Sequence, residues 1–131
     1  MDGKLFLLTS GSLRKRMLER VLDEACDHLY SINSLTIDEL KKCKLKNGIN
    51  FIFLDLPNMR GSAIDIISEV KLIQPDAFVI GIHFYLNKKL IQPLMEEGLN
   101  GYLLYNPIKQ DARNAMNAIK GGQKYLPPEL Q

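Results

Sequence analysis

The sequence predicts an α/β fold in which one parallel β-sheet is covered by helices on both faces. Short and nearly continuous apolar runs alternate along the chain with segments of helical periodicity. Such runs are typical of parallel strands that are buried on both faces. The 131 residues, 46% of them hydrophobic and 24% charged, suffice for one core without disulfides or metals. We therefore expect a single domain that spans residues 1–131.

Four strong apolar runs and one weaker segment account for the expected strands. The strong runs are Leu5 to Leu8, Phe51 to Leu56, Phe78 to Ile82 and Tyr102 to Leu104. The weaker segment, Leu29 to Ile32, alternates between apolar and polar residues, and this pattern suits a strand at the edge of a sheet.

A segment with helical spacing follows each expected strand, so the chain contains five strand and helix pairs. The residues that mark the helices are Leu13, Met17, Val21 and Ala25; Ile37 to Leu45; Ala63, Ile66, Ile67, Val70 and Ile73; Leu90, Ile91, Leu94 and Met95; and Ala112, Ala115, Met116 and Ile119.

Residues that favour helix starts agree with this division. Thr36 with Glu39, and Ser62 with Asp65, resemble capping boxes, while Asn106-Pro107 suits an N-cap and a first helical position. Five alternating pairs with short connections predict a flavodoxin-like, doubly wound, five-stranded parallel sheet of order 2-1-3-4-5 with five helices.

Charge and apolar run lengths exclude several classes of protein. A balance of 17 Lys and Arg against 15 Asp and Glu, a net charge of +2, is too even for a dedicated nucleic-acid-binding domain. No apolar run approaches the ~20 residues of a bilayer-spanning helix, and the first residues lack the order of a signal peptide. We expect a cytoplasmic protein with no membrane partner. Local basic groups are expected on solvated helix faces, at Arg14, Lys15 and Arg16 and at Lys41, Lys42, Lys44 and Lys46.

Polar residues stand where ligands bind in a doubly wound sheet, beyond the carboxyl ends of the strands. Asp55 interrupts an apolar run, at a place where desolvating a carboxylate is costly. It therefore either has a functional partner or caps the following turn through backbone amides. The residues expected at this end of the sheet are Thr9, Ser10, Gly11, Asp55, His83, Tyr105 and Asn106.

Three segments carry a resemblance to a known family. Phe53 to Leu56 resembles a phosphoacceptor strand, and Gly98 to Leu104 resembles a Gly-Ala-x-Gly-Tyr-Leu-Leu signature. Ala118 to Pro127 is similar to the final helix and exit of regulators that continue into a LuxR-type helix-turn-helix domain. Over nearly its whole length the chain resembles the receiver domain of two-component response regulators, which implies a CheY-like fold.

By this resemblance Asp55 matches the aspartate that accepts a phosphoryl group from a histidine kinase. The family surrounds that aspartate with an acidic pair that holds Mg²⁺, a Ser or Thr hydroxyl and a Lys. Here Thr9 and Ser10 replace the acidic pair, His83 stands at the hydroxyl position and Tyr105 at the Lys position. Asp55 is then the only carboxylate left for a metal, so we expect no cofactor, weak Mg²⁺ binding at most, and no enzymatic activity.

The resemblance and these departures predict an atypical receiver in two-component signalling, with impaired or absent phosphorylation. Compared with the family, the pocket lacks two acids and one Lys, so we expect it to hold a single formal charge. Such a domain would control an attached DNA-binding output through homodimerisation by helix 4, strand 5 and helix 5. Its DNA contacts would lie in a C-terminal domain beyond Gln131, which makes this chain an N-terminal fragment. Replacing Asp55 by Asn should then leave dimerisation nearly unchanged.

Two further residues have more than one interpretation. His83 either pairs with Asp55 as a local cation, or senses pH or a small ligand, or is a buried, hydrogen-bonded histidine without a signalling role. Tyr102 matches the family's switch aromatic, or is an edge-strand tyrosine with a wet hydroxyl. Leu90, Leu94 and Met95 with Tyr105 could anchor a homodimer, although much of that stripe could be core.

Two other functions stay open. One is a conventional receiver, phosphorylated on Asp55 by a histidine kinase. The other is a small flavodoxin-like ligand-binding domain that uses Thr9 to Ser12 as a phosphate loop at a helix N-terminus. Neither GxGxxG nor GxxxxGK[ST] is present to support the second of these.

Overall fold

A computed structural model describes residues 3–45 and 48–131. Lys46, one of the basic residues singled out above, lies outside these ranges. The strands are β1 (Lys4–Leu8), β2 (Ser31–Ser34), β3 (Asn50–Asp55), β4 (Phe78–His83) and β5 (Gly101–Leu104). The helices are α1 (Ser12–Ala25), α2 (Ile37–Lys41), α3 (Ala63–Ile73), α4 (Lys88–Glu97) and α5 (Lys109–Lys120), with 3₁₀ turns at Leu56–Asn58 and Pro128–Leu130.

The five strands form one parallel sheet in the order β2-β1-β3-β4-β5, which confirms the predicted fold class. Alternate side chains of β1, β3, β4 and β5 enter two separate apolar cores. Leu5 and Leu7 pack with α1 and α5, whereas Phe6 and Leu8 pack with α2, α3 and α4. The sheet is therefore covered on both faces, as its continuous apolar strands require.

The first helix buries a different stripe from the predicted one. Leu13 is 82% exposed, and the buried positions are Leu18, Leu22 and Ala25. Arg14 precedes Leu18 by four residues, so it lies on the same, inward side of α1.

Three boundaries also differ from the prediction. β2 begins at Ser31 because the chain first turns through Asp27 and His28, which have φ values of 52° and 62°. Helix α2 ends at Lys41 rather than near Leu45. The predicted Asn106-Pro107 start of α5 is wrong, since the N-cap is Ile108 and the side chain of Asn106 is bonded elsewhere.

The start of α2 confirms its predicted capping box. The backbone N–H of Glu39 donates to Thr36 Oγ1 at 3.1 Å, and the N–H of Thr36 donates to Glu39 Oε1 at 3.0 Å. Ser62 caps α3 by accepting from the N–H of Asp65 at 3.2 Å. These bonds satisfy amides that the first turn of a helix leaves free.

The segment after α5 returns along the outer edge of the sheet. The N–H of Tyr102 donates to the carbonyl of Tyr125 at 3.0 Å, and the N–H of Tyr125 donates to the carbonyl of Asn100 at 3.0 Å. Leu130 is buried against the core on the α4 side. This tail, residues 121–131, thus pairs with the start of β5 at the outer edge of the sheet. Across the described residues, every helix is too short or too polar to span a bilayer.

Candidate functional site

The carboxyl ends of β1, β3, β4 and β5 bring the candidate residues to one end of the sheet. Asp55 closes β3 opposite Ile82 of β4 and is completely buried, with 0% of its surface exposed. Thr9 follows β1, His83 ends β4 and Tyr105 follows β5. This is the end at which ligands collect in a doubly wound sheet.

The partner of Asp55 is Arg14. The guanidinium approaches both carboxylate oxygens, with Nε at 3.1 Å from Oδ2 and Nη2 at 3.1 Å from Oδ1. The Arg14 side chain is itself only 12% exposed. A bidentate pair of this kind has the strongest geometry available to a guanidinium and a carboxylate.

Two neutral side chains complete the surroundings of the carboxylate. Thr9 Oγ1 donates to Asp55 Oδ2 at 2.5 Å, and Asn58 Nδ2 donates to the same oxygen at 2.9 Å. Asp55 makes no side-chain cap to the turn at Leu56–Asn58, so the capping interpretation is wrong. Its hydrogen bonds come from side chains on three different segments.

Tyr105 packs against the Arg14 guanidinium. Its ring centroid lies 3.7 Å from Arg14 Cζ, its hydroxyl accepts from Asn58 Nδ2 at 3.2 Å, and its backbone carbonyl accepts from the guanidinium. Arg14 Nη1 also donates to Asn106 Oδ1 at 3.1 Å. Arg14 therefore ties α1 to β3 and to the segment between β5 and α5.

These contacts correct two predictions. Arg14 is not on a solvated helix face, because its guanidinium is stacked and paired. The pocket does not hold a single formal charge, since the positive charge of Arg14 balances the negative charge of Asp55.

Ser10, at the other acidic-pair position, donates to the carbonyl of Asn58 rather than to Asp55. Sequence reasoning missed the roles of Arg14, Asn58 and Asn106.

The donors around Asp55 do not suit Mg²⁺, which takes oxygen ligands and prefers carboxylates. Three of the four bonds to the carboxylate come from nitrogen donors, two of them on a cation. Among residues 3–45 and 48–131, no group of three His, Cys, Asp or Glu side chains is placed to hold a metal ion. The site is arranged to neutralise Asp55 with a guanidinium.

His83 faces aromatic rings and makes no hydrogen bond with Asp55. Its Nδ1 accepts from the N–H of Phe84 at 2.8 Å, and its ring stacks on Tyr85 at 4.0 Å. Burial lowers the pKa of His83 below 6.5, and this outweighs the opposing effect of the Asp55 charge. The interpretation of His83 as the cation that pairs with Asp55 is therefore wrong, because Arg14 has that place.

The lowered pKa of His83 predicts a pH dependence of stability. The unfolded chain takes up a proton near pH 6.5, whereas folded His83 resists it, so the free energy of unfolding should fall as the pH drops below about 6.5. His83→Gln should weaken this slope. Urea unfolding between pH 7 and pH 5 measures it, and a His83 NMR titration midpoint at or above 6.5 would contradict the prediction.

Tyr102 is fully buried, and its hydroxyl donates to the carbonyl of Tyr85 at 2.8 Å. Burial raises the pKa of this phenol well above its ordinary value. The interpretation of Tyr102 as an edge tyrosine with a wet hydroxyl is wrong. Its hydroxyl instead connects β5 to the segment between β4 and α4, next to His83.

The expected apolar anchors on α4 are mostly core. Leu94 and Met95 are buried on the inner face of α4, and of the three residues only Leu90 is exposed. The tail also pairs with the start of the β5 edge through Tyr125. A homodimer at this face would therefore use the outer sides of α4 and α5.

Solved structures of response regulators share this fold. A LuxR family DNA-binding response regulator from Silicibacter pomeroyi aligns with a TM-score of 0.70 and 23% identity, over 95% of this chain and 98% of that one. RcsB from Salmonella enterica serovar Typhimurium, bound to promoter P1flhDC in the presence of phosphomimetic BeF3⁻, aligns with a TM-score of 0.75 and 16% identity, over 99% of this chain and 65% of that one.

The same fold occurs in a putative pilus assembly protein, cpaE, from Burkholderia thailandensis, with a TM-score of 0.71 and 11% identity over 92% of this chain and 99% of that one. No family model matches the sequence, and no curated protein matches it. Against another RcsB structure the chain spans 64% of that protein's length. The likeness to receiver domains thus confirms the predicted fold.

Proposed function

We propose that this chain is an atypical receiver domain in two-component signalling, which works without phosphorylation of Asp55. The fold of LuxR-family receiver domains supports the first half of this proposal. The second half is carried by one observation, the bidentate ion pair between Arg14 and Asp55. Catalysis is not part of the proposed role.

The ion pair opposes phosphorylation in two ways. It places a guanidinium where a divalent cation would have to approach the carboxylate, and it occupies the oxygens that would attack a phosphoryl donor. Phosphoryl transfer depends on charge neutralisation by metal ions and cationic side chains around the transferred group. Here the cation of Arg14 neutralises the carboxylate of Asp55 itself, which is the group that would attack the phosphoryl donor.

We further propose that the output of the domain depends on contacts with other proteins or on dimerisation. The tail after α5 is suited to pass on such contacts because it is bonded to β5 and packed on α4. An attached DNA-binding domain, as in the similar RcsB bound to a promoter, would be controlled through this tail. Dimerisation by α4 and α5, if it occurs, should then be independent of phosphoryl donors.

Acetyl phosphate with 10 mM Mg²⁺ tests the central proposal. We expect intact mass spectrometry to detect no phosphorylated species, because Arg14 holds both oxygens of Asp55. Sedimentation with and without the donor should give the same mass distribution. A conventional receiver, assayed in parallel, shows that the donor is active.

A stable phosphoryl group on Asp55 at ordinary Mg²⁺ concentrations would overturn the proposal and restore the conventional receiver. Modification of another residue would not count as phosphorylation of Asp55. Any modified protein should therefore be digested and the modified residue identified. An Asp55→Asn control separates phosphorylation of Asp55 from adventitious acylation elsewhere.

A further inference from the structure

The exposed apolar side chains of the molecule gather at the same end of the sheet as the ion pair. Seven large apolar residues of the described chain are strongly exposed, and five of them lie at this end with 53–82% of their surface accessible. The five are Leu13, Phe84, Leu86, Leu90 and Ile108. The ring of Phe84 lies 6.3 Å from that of Tyr105, which is stacked on Arg14. Exposed apolar groups that cluster in this way mark interaction sites.

Lysines lie among these apolar side chains at the starts of three helices. Lys15 lies in the first turns of α1, Lys88 and Lys89 begin α4, and Lys109 begins α5. All four are exposed, and none forms a salt bridge with a described residue. The N-terminus of a helix carries partial positive charge, so lysine there is unfavourable in the isolated domain and adds to an already positive surface.

The other half of the same sheet end carries acidic as well as basic side chains, with Arg60 exposed in the loop before α3. The first turn of α2 carries Asp38 and Glu39, and the first turn of α3 carries Asp65. The first turns of α1 and α4 carry no acid, and that of α5 carries Asp111 alone. Positive charge is therefore concentrated beside the apolar group, although the chain as a whole is nearly balanced at +2.

We propose that this basic apolar patch, formed by Leu13, Phe84, Leu86, Leu90 and Ile108 with Lys15, Lys88, Lys89 and Lys109, binds an acidic amphipathic segment of another protein. The apolar side chains, beside the neighbouring rings of Phe84 and Tyr105, would supply affinity. The lysines would select a partner with carboxylates around its own apolar face. A second copy of the chain does not fit, because a twofold contact would bring the lysines of one copy against those of the other. The proposal concerns a surface and does not depend on whether Asp55 is phosphorylated.

The test uses the whole chain and a fluorescein-labelled helical peptide that has Leu on one face and Glu on the other. We expect saturable binding, amide NMR shifts centred on the patch, and affinity at least tenfold weaker when the salt concentration rises from about 50 to 500 mM. A peptide with the same composition but scrambled order should bind at least tenfold more weakly.

Matched variants separate the patch from general surface charge. Lys88→Glu with Lys89→Glu should weaken binding about tenfold or more, whereas Lys42→Glu with Lys44→Glu, in the segment just after α2, should have little effect. Leu86→Ser should weaken binding, whereas Leu72→Ser, at a position on α3 that is also strongly exposed, should not. All six substitutions are at exposed positions and should leave the folded state intact, which circular dichroism checks.

Vesicles that contain phosphatidylserine test the alternative that the patch binds an anionic membrane, since a basic and apolar surface is suited to both ligands. Binding to vesicles without binding to the acidic peptide would overturn the proposal. So would peptide binding whose NMR shifts lie outside the patch, or no peptide binding at 1 mM.

Discussion

Replacing Arg14 with methionine is expected to lower the free energy of unfolding by about 3 kcal/mol, the scale for removing one partner of a buried ion pair. The change leaves the carboxylate of Asp55 buried with only neutral donors, Thr9 and Asn58. It also removes the stacking on Tyr105. Urea unfolding at pH 7, followed by circular dichroism, measures the loss.

Arg20→Met is the matched control, because the Arg20 side chain is 84% exposed and, within residues 3–45 and 48–131, its only ion pair is with Glu24 at 4.0 Å. Such surface pairs contribute about 0–1 kcal/mol, so this variant should stay close to the wild type. Combining Arg14→Met with Asp55→Leu should cost less than the sum of the two single changes, since the uncompensated charge is then gone. Equal losses at Arg14 and Arg20 would show that the buried pair is unimportant.

The ion pair also changes the meaning of the Asp55→Asn variant. From sequence, this variant is expected to be nearly silent if Asp55 is not phosphorylated. In the structure it replaces a carboxylate that accepts four hydrogen bonds by an amide that presents hydrogens to the guanidinium. Loss of output in Asp55→Asn would therefore report on folding as well as on phosphorylation, and stability must be measured beside it.

The second large effect is a gain of Mg²⁺ binding when the site is rebuilt. The triple variant Thr9→Glu, Ser10→Asp and Arg14→Ser supplies carboxylates beside Asp55 and removes the competing cation. Thr9 Oγ1 already lies 2.5 Å from Asp55 Oδ2, so a carboxylate at position 9 has the reach to share a ligand with Asp55. We expect millimolar Mg²⁺ affinity by calorimetry, against no detectable binding in the wild type.

The decisive control keeps Arg14 and changes only Thr9 and Ser10. In that variant the guanidinium can pair with the new carboxylates, so Mg²⁺ binding should stay weak. Arg14→Ser alone should also fail, because Asp55 would be a single carboxylate ligand. If the variant that keeps Arg14 bound Mg²⁺ as well as the triple variant does, the guanidinium would not be the obstacle that we propose.

The fold could be predicted because its signals are local. The apolar run of β3 and the periodicity of α3 each arise within a few residues, and the order of elements limits the topology to few choices. The ion pair depends instead on residues that are 41 positions apart, and its links to Tyr105 and Asn106 on residues 91 and 92 positions apart. A local pattern can place one partner of such a contact on a buried face, but it does not identify the other partner.

One local signal for Arg14 did exist. The spacing of Arg14, Leu18, Leu22 and Ala25 is a helical stripe, and the predicted stripe began one residue too early, at Leu13. The correct stripe would have placed Arg14 on the inward face of α1, at the end of the sheet. There it would have been near Asp55, a buried carboxylate that needs a cation. Its neighbours Lys15 and Arg16 concealed this, because a basic run usually marks a solvated face.

The tail that pairs with the start of β5 also bears on how this protein behaves at high concentration. A sheet with a free, long and apolar edge recruits strands of other molecules and polymerises. Here the β5 edge is already bonded to Tyr125, and the opposite edge, β2, is only four residues long and carries Ser31, Asn33 and Ser34. The bridge at Tyr125 and the short, polar β2 therefore reduce the length of free strand edge that the chain offers to other molecules, although it exposes an apolar surface beside its ion pair.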